Sequence, residues 1–243
     1  MTAGTNLGGA SAAQDFWLDN LSGADAYTRW ILDEARPFLG RRVLEVGCGT
    51  GTYTVPLARA GHELVSVDID AAYAAAATQA TRSMDAVTVR CADATDPAVD
   101  LGEAFDSVIL FDVLEHIEHD VALLQRLRAR LKPGGRIVLK VPAIKALHSP
   151  MDDAIGHWRR YDRASLAATL TEAGFEAERL WPFNAFAVPG WWLNGRVLKR
   201  TTPPAEQVKL FNRLIPVLRP LDKALRHVMG LSLFAVGRVP PKT

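Results

Sequence analysis

Two stretches of this 243-residue chain concentrate side chains that can move protons. The first reads Asp112-Val113-Leu114-Glu115-His116-Ile117-Glu118-His119. On a helical turn Asp112, Glu115 and His116 fall at i, i+3 and i+4 and share a face. Imidazole titrates near neutral pH, which makes His116 a candidate general base. Carboxylate oxygens beside an imidazole also suit a divalent metal ion, so Asp112, Glu115 and His116 are a candidate ligand set. A third reading is structural: Asp112 and Glu115 open a helix and complement its dipole while His116 packs. The second stretch, His148 to Tyr161, ends in Gly156-His157-Trp158-Arg159-Arg160-Tyr161. His157 is a second candidate base there. Arg160 and Tyr161 are suited to hydrogen-bond an oxyanion or phenol, or else to pin the loop to a sheet. The residues alone leave the choice between His116 and His157 open.

A third group offers a binding crevice. Val43-Leu44-Glu45-Val46-Gly47-Cys48-Gly49-Thr50-Gly51 is an apolar strand running into a glycine turn. Glycine is needed where the backbone bends sharply and a ligand lies against it with no Cβ in the way. The spacing is G-x-G-x-G; a dinucleotide fingerprint wants G-x-G-x-x-G, but Thr52 follows Gly51. No Gly-Lys occurs, which excludes a P-loop. Asp68 stands 21 residues beyond Gly47, after a second apolar run, where a carboxylate can accept both hydroxyls of a ribose. Asp93 follows a third run and is placed to accept from an adenine amino group. Alone, either aspartate reads as a cap or turn residue; in this order they outline a nucleoside site that engages no phosphate.

The elements that must position these groups alternate between strand and helix signals from Asp25 to Phe183, the pattern of a doubly wound α/β sheet. Short β-branched runs predict strands at 42–46, 62–67, 87–90, 107–111, 136–141, 175–180 and 231–239. Helical spacing predicts helices at 24–38, 52–60, 71–80, 120–131 and 162–173. Two or three short helices separated by prolines, including 206–218 and 221–229, fill the segment before the last strand. That strand is expected to pair with 175–180, making residues 184–230 an insertion between sheet neighbours within a single domain spanning 15–243. Residues 1–14 are small and polar and read as a flexible head without a signal peptide.

With the motifs in this order, the chain resembles the class I S-adenosylmethionine-dependent methyltransferases. The resemblance rests on Val43 to Gly51, Val65 to Asp70, Ala92-Asp93-Ala94, Phe105 to Ile117 and the Leu131-Lys-Pro-Gly-Gly-Arg segment. It implies a Rossmann-like, mostly parallel seven-stranded sheet and S-adenosylmethionine as methyl donor. It also implies roles for matching positions: Glu45 and Gly47 near the methionine moiety, Cys48 and Gly49 against the nucleoside, and Asp68 with Ile69 at the ribose. Asp93 and the Ala94 N–H would meet adenine, and Phe111 the methionine end. The Leu114-Glu115-His116 element is similar to one in the ubiquinone-biosynthesis O-methyltransferases, a group with a metal dependence. The Gly-His-x-Arg-Arg-Tyr element resembles that of a bacterial subgroup of the same superfamily. A methyl donor of this kind leaves the enzyme to align a small or lipid-like acceptor and, for an oxygen acceptor, to remove one proton.

Composition bounds the alternatives. Two cysteines, Cys48 and Cys91, are too few for a disulfide framework, and a reducing cytosol is the simplest compartment. The net charge of +1 hides an asymmetry: −7 through Phe183 and +8 from Asn184 onward. An acidic body argues against a nucleic-acid binder, whereas the basic tail suits an anionic partner such as a membrane surface. Residues 181–200 join Trp181, Phe183, Phe186, Trp191 and Trp192 to Arg196, Lys199 and Arg200. They read as a lid over an acceptor, as a peripheral membrane contact, or as core or homodimer packing. Two other functions compete with methyl transfer: a nicotinamide oxidoreductase, disfavoured by Thr52, and a non-catalytic membrane-associated nucleoside-binding protein.

Overall fold

The computed structural model describes residues 12–22, 24–225 and 228–241. Seven strands form one sheet in the order β3-β2-β1-β4-β5-β7-β6. They are β1 (Arg42–Val46), β2 (Glu63–Asp68), β3 (Val87–Cys91), β4 (Phe105–Phe111), β5 (Leu131–Pro142), β6 (Glu176–Phe183) and β7 (Ser232–Arg238). β1 through β5 run parallel, and β7 is antiparallel to both β5 and β6. The strand order reverses between β2 and β4 on either side of β1, and a doubly wound sheet opens its ligand crevice at the carboxyl ends there.

Side chains of successive strand residues point to opposite faces, so each central strand feeds two cores. Leu44, Val108, Leu110, Ile137, Leu139 and Ala235 pack on one face with Leu123, Leu124 and Leu127 of α5 (Asp120–Arg128) and Leu166 and Leu170 of α7 (Arg163–Glu172). Val43, Ile109, Val138, Phe234 and Val236 pack on the other with Trp30, Ile31 and Ala35 of α2 (Asp25–Ala35) and Leu57 of α3 (Thr54–Arg59). Burying each Val, Leu, Ile or Phe side chain among these stabilises the fold by about 1.5–3 kcal/mol. Short polar caps set where helices start: Asp70 accepts from the Ala72 and Tyr73 amides to open α4 (Ala71–Thr81), and Asp162 accepts from Ser165 to open α7.

The structure corrects three expectations. Residues 12–14, read as part of a flexible head, begin helix α1 (Ala12–Ser22); residues 1–11 lie outside the described residues. Residues 150–154, read as loop, form the short helix α6 (Pro150–Ala154), because Ser149 and Asp152 satisfy its first amides as a capping box. The two helices expected at 206–218 and 221–229 are one, α9 (Ala205–Leu225), continuous through Pro216 and Pro220. Each proline removes a helix hydrogen bond, but tertiary contacts hold the helix along its length. Ile215 is buried in the α2 core, Arg219 pairs with Asp33 at 2.8 Å, and Asp222 accepts from the Asn184 and Ala185 amides. Residues 184–230 thus leave the sheet after β6, form α8 (Val188–Trp191), a widened helical turn at Trp192–Val197, and α9, and return at β7. The return is tight: a Cβ on Gly230 would lie 2.4 Å from the Phe183 amide nitrogen.

Candidate active site

A cavity of about 1830 Å³ opens at the carboxyl ends of the strands, between the glycine turn and the insertion. The volume exceeds the roughly 300–1,000 Å³ of ordinary ligand pockets and has room for two occupants. One half is floored by the turn after β1. Gly47 takes φ +77, and a Cβ there would lie 2.3 Å from Val113, so the backbone runs flush under the β4 loop. The Gly47 and Cys48 amides both donate to the Val67 carbonyl, fastening the turn to β2. Asp68 is locked from two sides: Oδ2 accepts from the Gly49 amide at 2.7 Å and Oδ1 from the Asp70 amide at 3.0 Å. Each oxygen retains a lone pair, and Asp68 lines the cavity. Burial pushes its carboxyl above the usual range, opposed by those two amides.

Cys48, Gly49, Ile69, Asp93, Ala94 and Phe111 also line this half. Asp93 spends Oδ1 on the Thr95 amide and hydroxyl, fixing its rotamer at the end of β3. Glu45 is placed differently from expectation. It does not line the cavity but is buried beneath the turn, where Oε2 accepts from Thr54 at 2.6 Å and Ser66 at 2.7 Å. Its other oxygen, Oε1, has no protein partner. Burial raises the Glu45 carboxyl to about 7. That oxygen is shut off behind the glycine turn and no part of Glu45 reaches the cavity, whereas Asp68 at the cavity edge suits a pair of hydroxyls. The residues present therefore fit the nucleoside end of S-adenosylmethionine, with the backbone of Gly47 and Gly49 beside it.

At the end of β4 the chain departs from the face predicted for Asp112, Glu115 and His116. Asp112 adopts a left-handed backbone, φ +55, and turns its carboxylate onto Lys140 of β5, with Nζ to Oδ1 at 2.6 Å. Lys140 is buried against the Tyr27 ring; Asp112 and the two tyrosines Tyr27 and Tyr53 raise its ammonium above its ordinary range in spite of burial. The ligand set Asp112, Glu115 and His116 therefore does not assemble, because the ammonium already neutralises Asp112. A different set converges: donor atoms of Glu115, His116 and His157 lie within 4.8 Å of one another. Both Glu115 oxygens are buried without a hydrogen bond, and burial together with the Asp112 charge pushes its carboxyl well up. His116 packs edge-on against His157, with ring centroids 4.8 Å apart, and burial drives its imidazole down to about 4.

His157 is set by the following loop. Its Nδ1 lies 2.9 Å from Asp152 Oδ1, and its Nε2 faces Glu115 at 3.7 Å. Asp152 is fully buried; His157 and Arg160 hold its carboxyl below the usual range against desolvation, with Arg160 Nε at 2.7 Å. Arg160 also donates to the Ala143 carbonyl and lies over the Trp191 ring at 4.6 Å. It reaches the cavity wall, but its Nε and Nη1 serve the scaffold. Tyr161, expected to meet substrate, does not line the cavity: it is buried, and its hydroxyl donates to Asp120 at 2.8 Å, pinning the loop to α5. Asp152 and Lys140 are the participants that sequence reasoning missed. A lysine inside the apolar run Ile137-Val138-Leu139-Lys140-Val141 was the available signal for the second.

The far half of the cavity is largely apolar, with Asn194, Gln207 and Asn212 among its polar members. Trp17 of α1, Tyr27, Met151, Ile155, Trp191 and Phe211 contribute to it, with Trp17 and Trp191 stacked at 6.0 Å. The expected aromatic cluster of 181–200 is divided among three places. Trp181 and Phe183 are core residues stacked or packed on Phe234, Phe186 and Trp191 line the cavity, and Trp192 is exposed.

Residues 22–180 match the family described as a methyltransferase domain. Among curated relatives, the chain is 39% identical over 101 residues to a ubiquinone biosynthesis O-methyltransferase of Bradyrhizobium diazoefficiens, covering 41% of this chain and 39% of that protein. It is 30% identical over 176 residues to the protein of that name from Xanthomonas axonopodis, covering 67% and 72%. The chain thus spans about two fifths of the length of the first of these relatives and nearly three quarters of the second. In fold it is similar to the N-methyltransferase NodS of Bradyrhizobium japonicum in complex with S-adenosylhomocysteine, with TM-score 0.55 and 16% identity over 89% of this chain and 86% of that one. It is similar also to phosphoethanolamine N-methyltransferase 2 of Haemonchus contortus with S-adenosylmethionine, with TM-score 0.61 and 20% identity over 87% and 52%. The family match supports methyl transfer, and none of these matches supports the nicotinamide or the non-catalytic alternative. With a glycine turn and a cavity-lining aspartate at the switch point of a seven-stranded sheet, the chain belongs to the S-adenosylmethionine-dependent methyltransferases.

Proposed function

We propose that this enzyme methylates a hydroxyl oxygen of a small or lipid-like acceptor, with His157 as general base. The observation that carries the reading is His157 on the cavity wall, held from behind by the buried Asp152. Asp152 holds Nδ1 protonated, which leaves Nε2 as the proton acceptor, and the buried Arg160 fixes Asp152 in turn. His116, with its imidazole driven down to about 4, is neutral and too weakly basic at pH 7 to compete; it packs beside His157 and fixes its ring. S-adenosylmethionine supplies an activated methyl on a sulfonium, so the chain's own tasks are alignment and removal of one proton. The largely apolar far half of the cavity favours an acceptor with a hydrophobic body, and the relatives named as ubiquinone biosynthesis O-methyltransferases support oxygen as the acceptor atom.

Turnover should be followed as S-adenosylhomocysteine formation on a panel of phenols and catechols with and without apolar tails. His157→Ala is expected to lower kcat by roughly 10²–10⁴ with donor affinity unchanged, and His116→Ala by much less. Equal losses in the two variants, or none in His157→Ala, would remove His157 from the role.

A second reading has its own observation. Glu115, His116 and His157 form a compact donor set whose carboxylate oxygens accept no hydrogen bond. A divalent ion held there would act as a Lewis acid toward the acceptor oxygen. Loss of turnover on chelation, restored by one divalent metal, supports this reading; indifference to chelator rejects it.

A further inference from the structure

Helix α9 carries two apolar faces, and the described residues cover only one. Phe211 and Ile215 face the core, and Val208 joins Phe211 on the cavity wall. The second face consists of Leu210, Leu214, Val217, Leu221 and Leu225, each 41–64% exposed. Their spacing of four, three, four and four places them within an arc of about 80° on the helix. Five large aliphatic side chains in one exposed stripe far exceed the scattered apolar residues of an ordinary surface.

We propose that this stripe seats the enzyme on an anionic lipid bilayer, with α9 lying in the interface. Charge selects this occupant. Lys209 and Arg213 border one edge of the stripe, and residues 184–230 contain eight Lys and Arg against two acidic residues. One of those acids, Asp222, is buried on the insertion's own backbone, and the other, Glu206, offsets Lys209 at 2.9 Å, so eight cations against two acids leave the segment at a net charge of +6. An apolar stripe edged by cations is the pattern of an interfacial helix, where aliphatic groups enter the acyl boundary and cations meet headgroups. A second copy docking stripe to stripe about a two-fold axis would bring the same cations together, and the like charges would oppose it. The segment binds without spanning: no helix among the described residues is long and apolar enough to cross a membrane. Val208 and Phe211 of the same helix wall the cavity, so a membrane-resident acceptor would enter from the side on which the enzyme sits. Seating on a bilayer requires neither an oxygen acceptor nor a particular general base.

The test is co-sedimentation of the full chain with phosphatidylcholine vesicles with and without phosphatidylglycerol. Binding to the anionic vesicles is expected to be roughly tenfold or more tighter and to weaken with salt. Leu214→Glu with Leu221→Glu, both solvent-exposed, should lower it by roughly a hundredfold or more. Lys209→Gln with Arg213→Gln should lower it by roughly 25-fold. Calorimetric binding of S-adenosylhomocysteine should be unchanged in both pairs, which certifies their fold. If the leucine pair does not fold, the cation pair alone decides. Failure to bind anionic vesicles, equal binding to neutral ones, or binding indifferent to the variants overturns the proposal. So does a wild-type dimer that Leu214→Glu with Leu221→Glu converts to monomer without any vesicle binding, which would assign the stripe to a second copy.

Discussion

Replacing Glu45 by Gln should change how stability depends on pH, because the structure buries this carboxyl with no cation beside it. Two hydroxyls, of Thr54 and Ser66, donate to Oε2, but desolvation dominates and raises the group from 4.5 to about 7. Between those two values the unfolded chain has lost the proton and the folded one keeps it. A carboxyl raised on folding contributes stability that is complete below its unfolded value and is lost as pH rises through its folded value. The displacement corresponds to about 3 kcal/mol across this window. Other carboxyls titrate too: Asp68 and Glu115 shift in the same direction, Asp152 and Asp106 in the opposite one. The informative quantity is therefore the wild-type stability minus that of Glu45→Gln, from urea unfolding without ligand at a series of pH values. That difference should move by about 3 kcal/mol against the wild type between pH 4.5 and 7.5. In a chain of this size the corresponding change in Tm is roughly 6–12 °C. A difference constant across pH would refute the reasoning, since it would mean that Glu45 is solvated or paired in the folded state.

Asp68→Ala should abolish measurable S-adenosylhomocysteine binding by calorimetry while leaving the fold intact by circular dichroism, because the carboxylate is tied to the Gly49 and Asp70 amides at the cavity edge. Retained affinity would mean that the ribose is held elsewhere. Gly47→Ala places a Cβ 2.3 Å from Val113 in a left-handed backbone and should cost about 1–3 kcal/mol by urea unfolding, part of it restored by Val113→Ala. Additivity of the two substitutions would show that the contact is not the cause. Asp152→Asn should lower kcat far more than it changes KM, because a side-chain amide in place of the carboxylate no longer selects the His157 tautomer; a change confined to KM would make the pair a binding element only.

The strands were legible because parallel strands covered on both faces are continuous apolar runs, and the observed β1, Arg42–Val46, coincides with the predicted run. The donor half was legible for a related reason: its residues lie at strand ends and in one glycine turn, where local backbone demands dictate residue type. Glu45 was the exception in that half, since whether a strand residue faces cavity or interior is decided by its neighbours Thr54 and Ser66. The prolines at 216 and 220 suggested separate helices, and only the anchoring of Ile215, Arg219 and Asp222 across the fold overrides them.

The sequence by itself determined the sheet, the turn and the two strand-end aspartates, because each rests on contacts among residues close in the chain or on strand periodicity. The tertiary structure alone decided the cluster of Glu115, His116 and His157. His116 and Glu115 come from the segment after β4, and Asp152 of α6 and His157 just beyond it from the segment after β5; their contacts depend on distances between those segments. Asp112 belongs with Glu115 and His116 by spacing, yet Lys140, 28 residues away in the chain, captures it across the sheet. Charge pairing and burial act through space, so a residue's protonation and partner are fixed only once folding has brought its neighbours together.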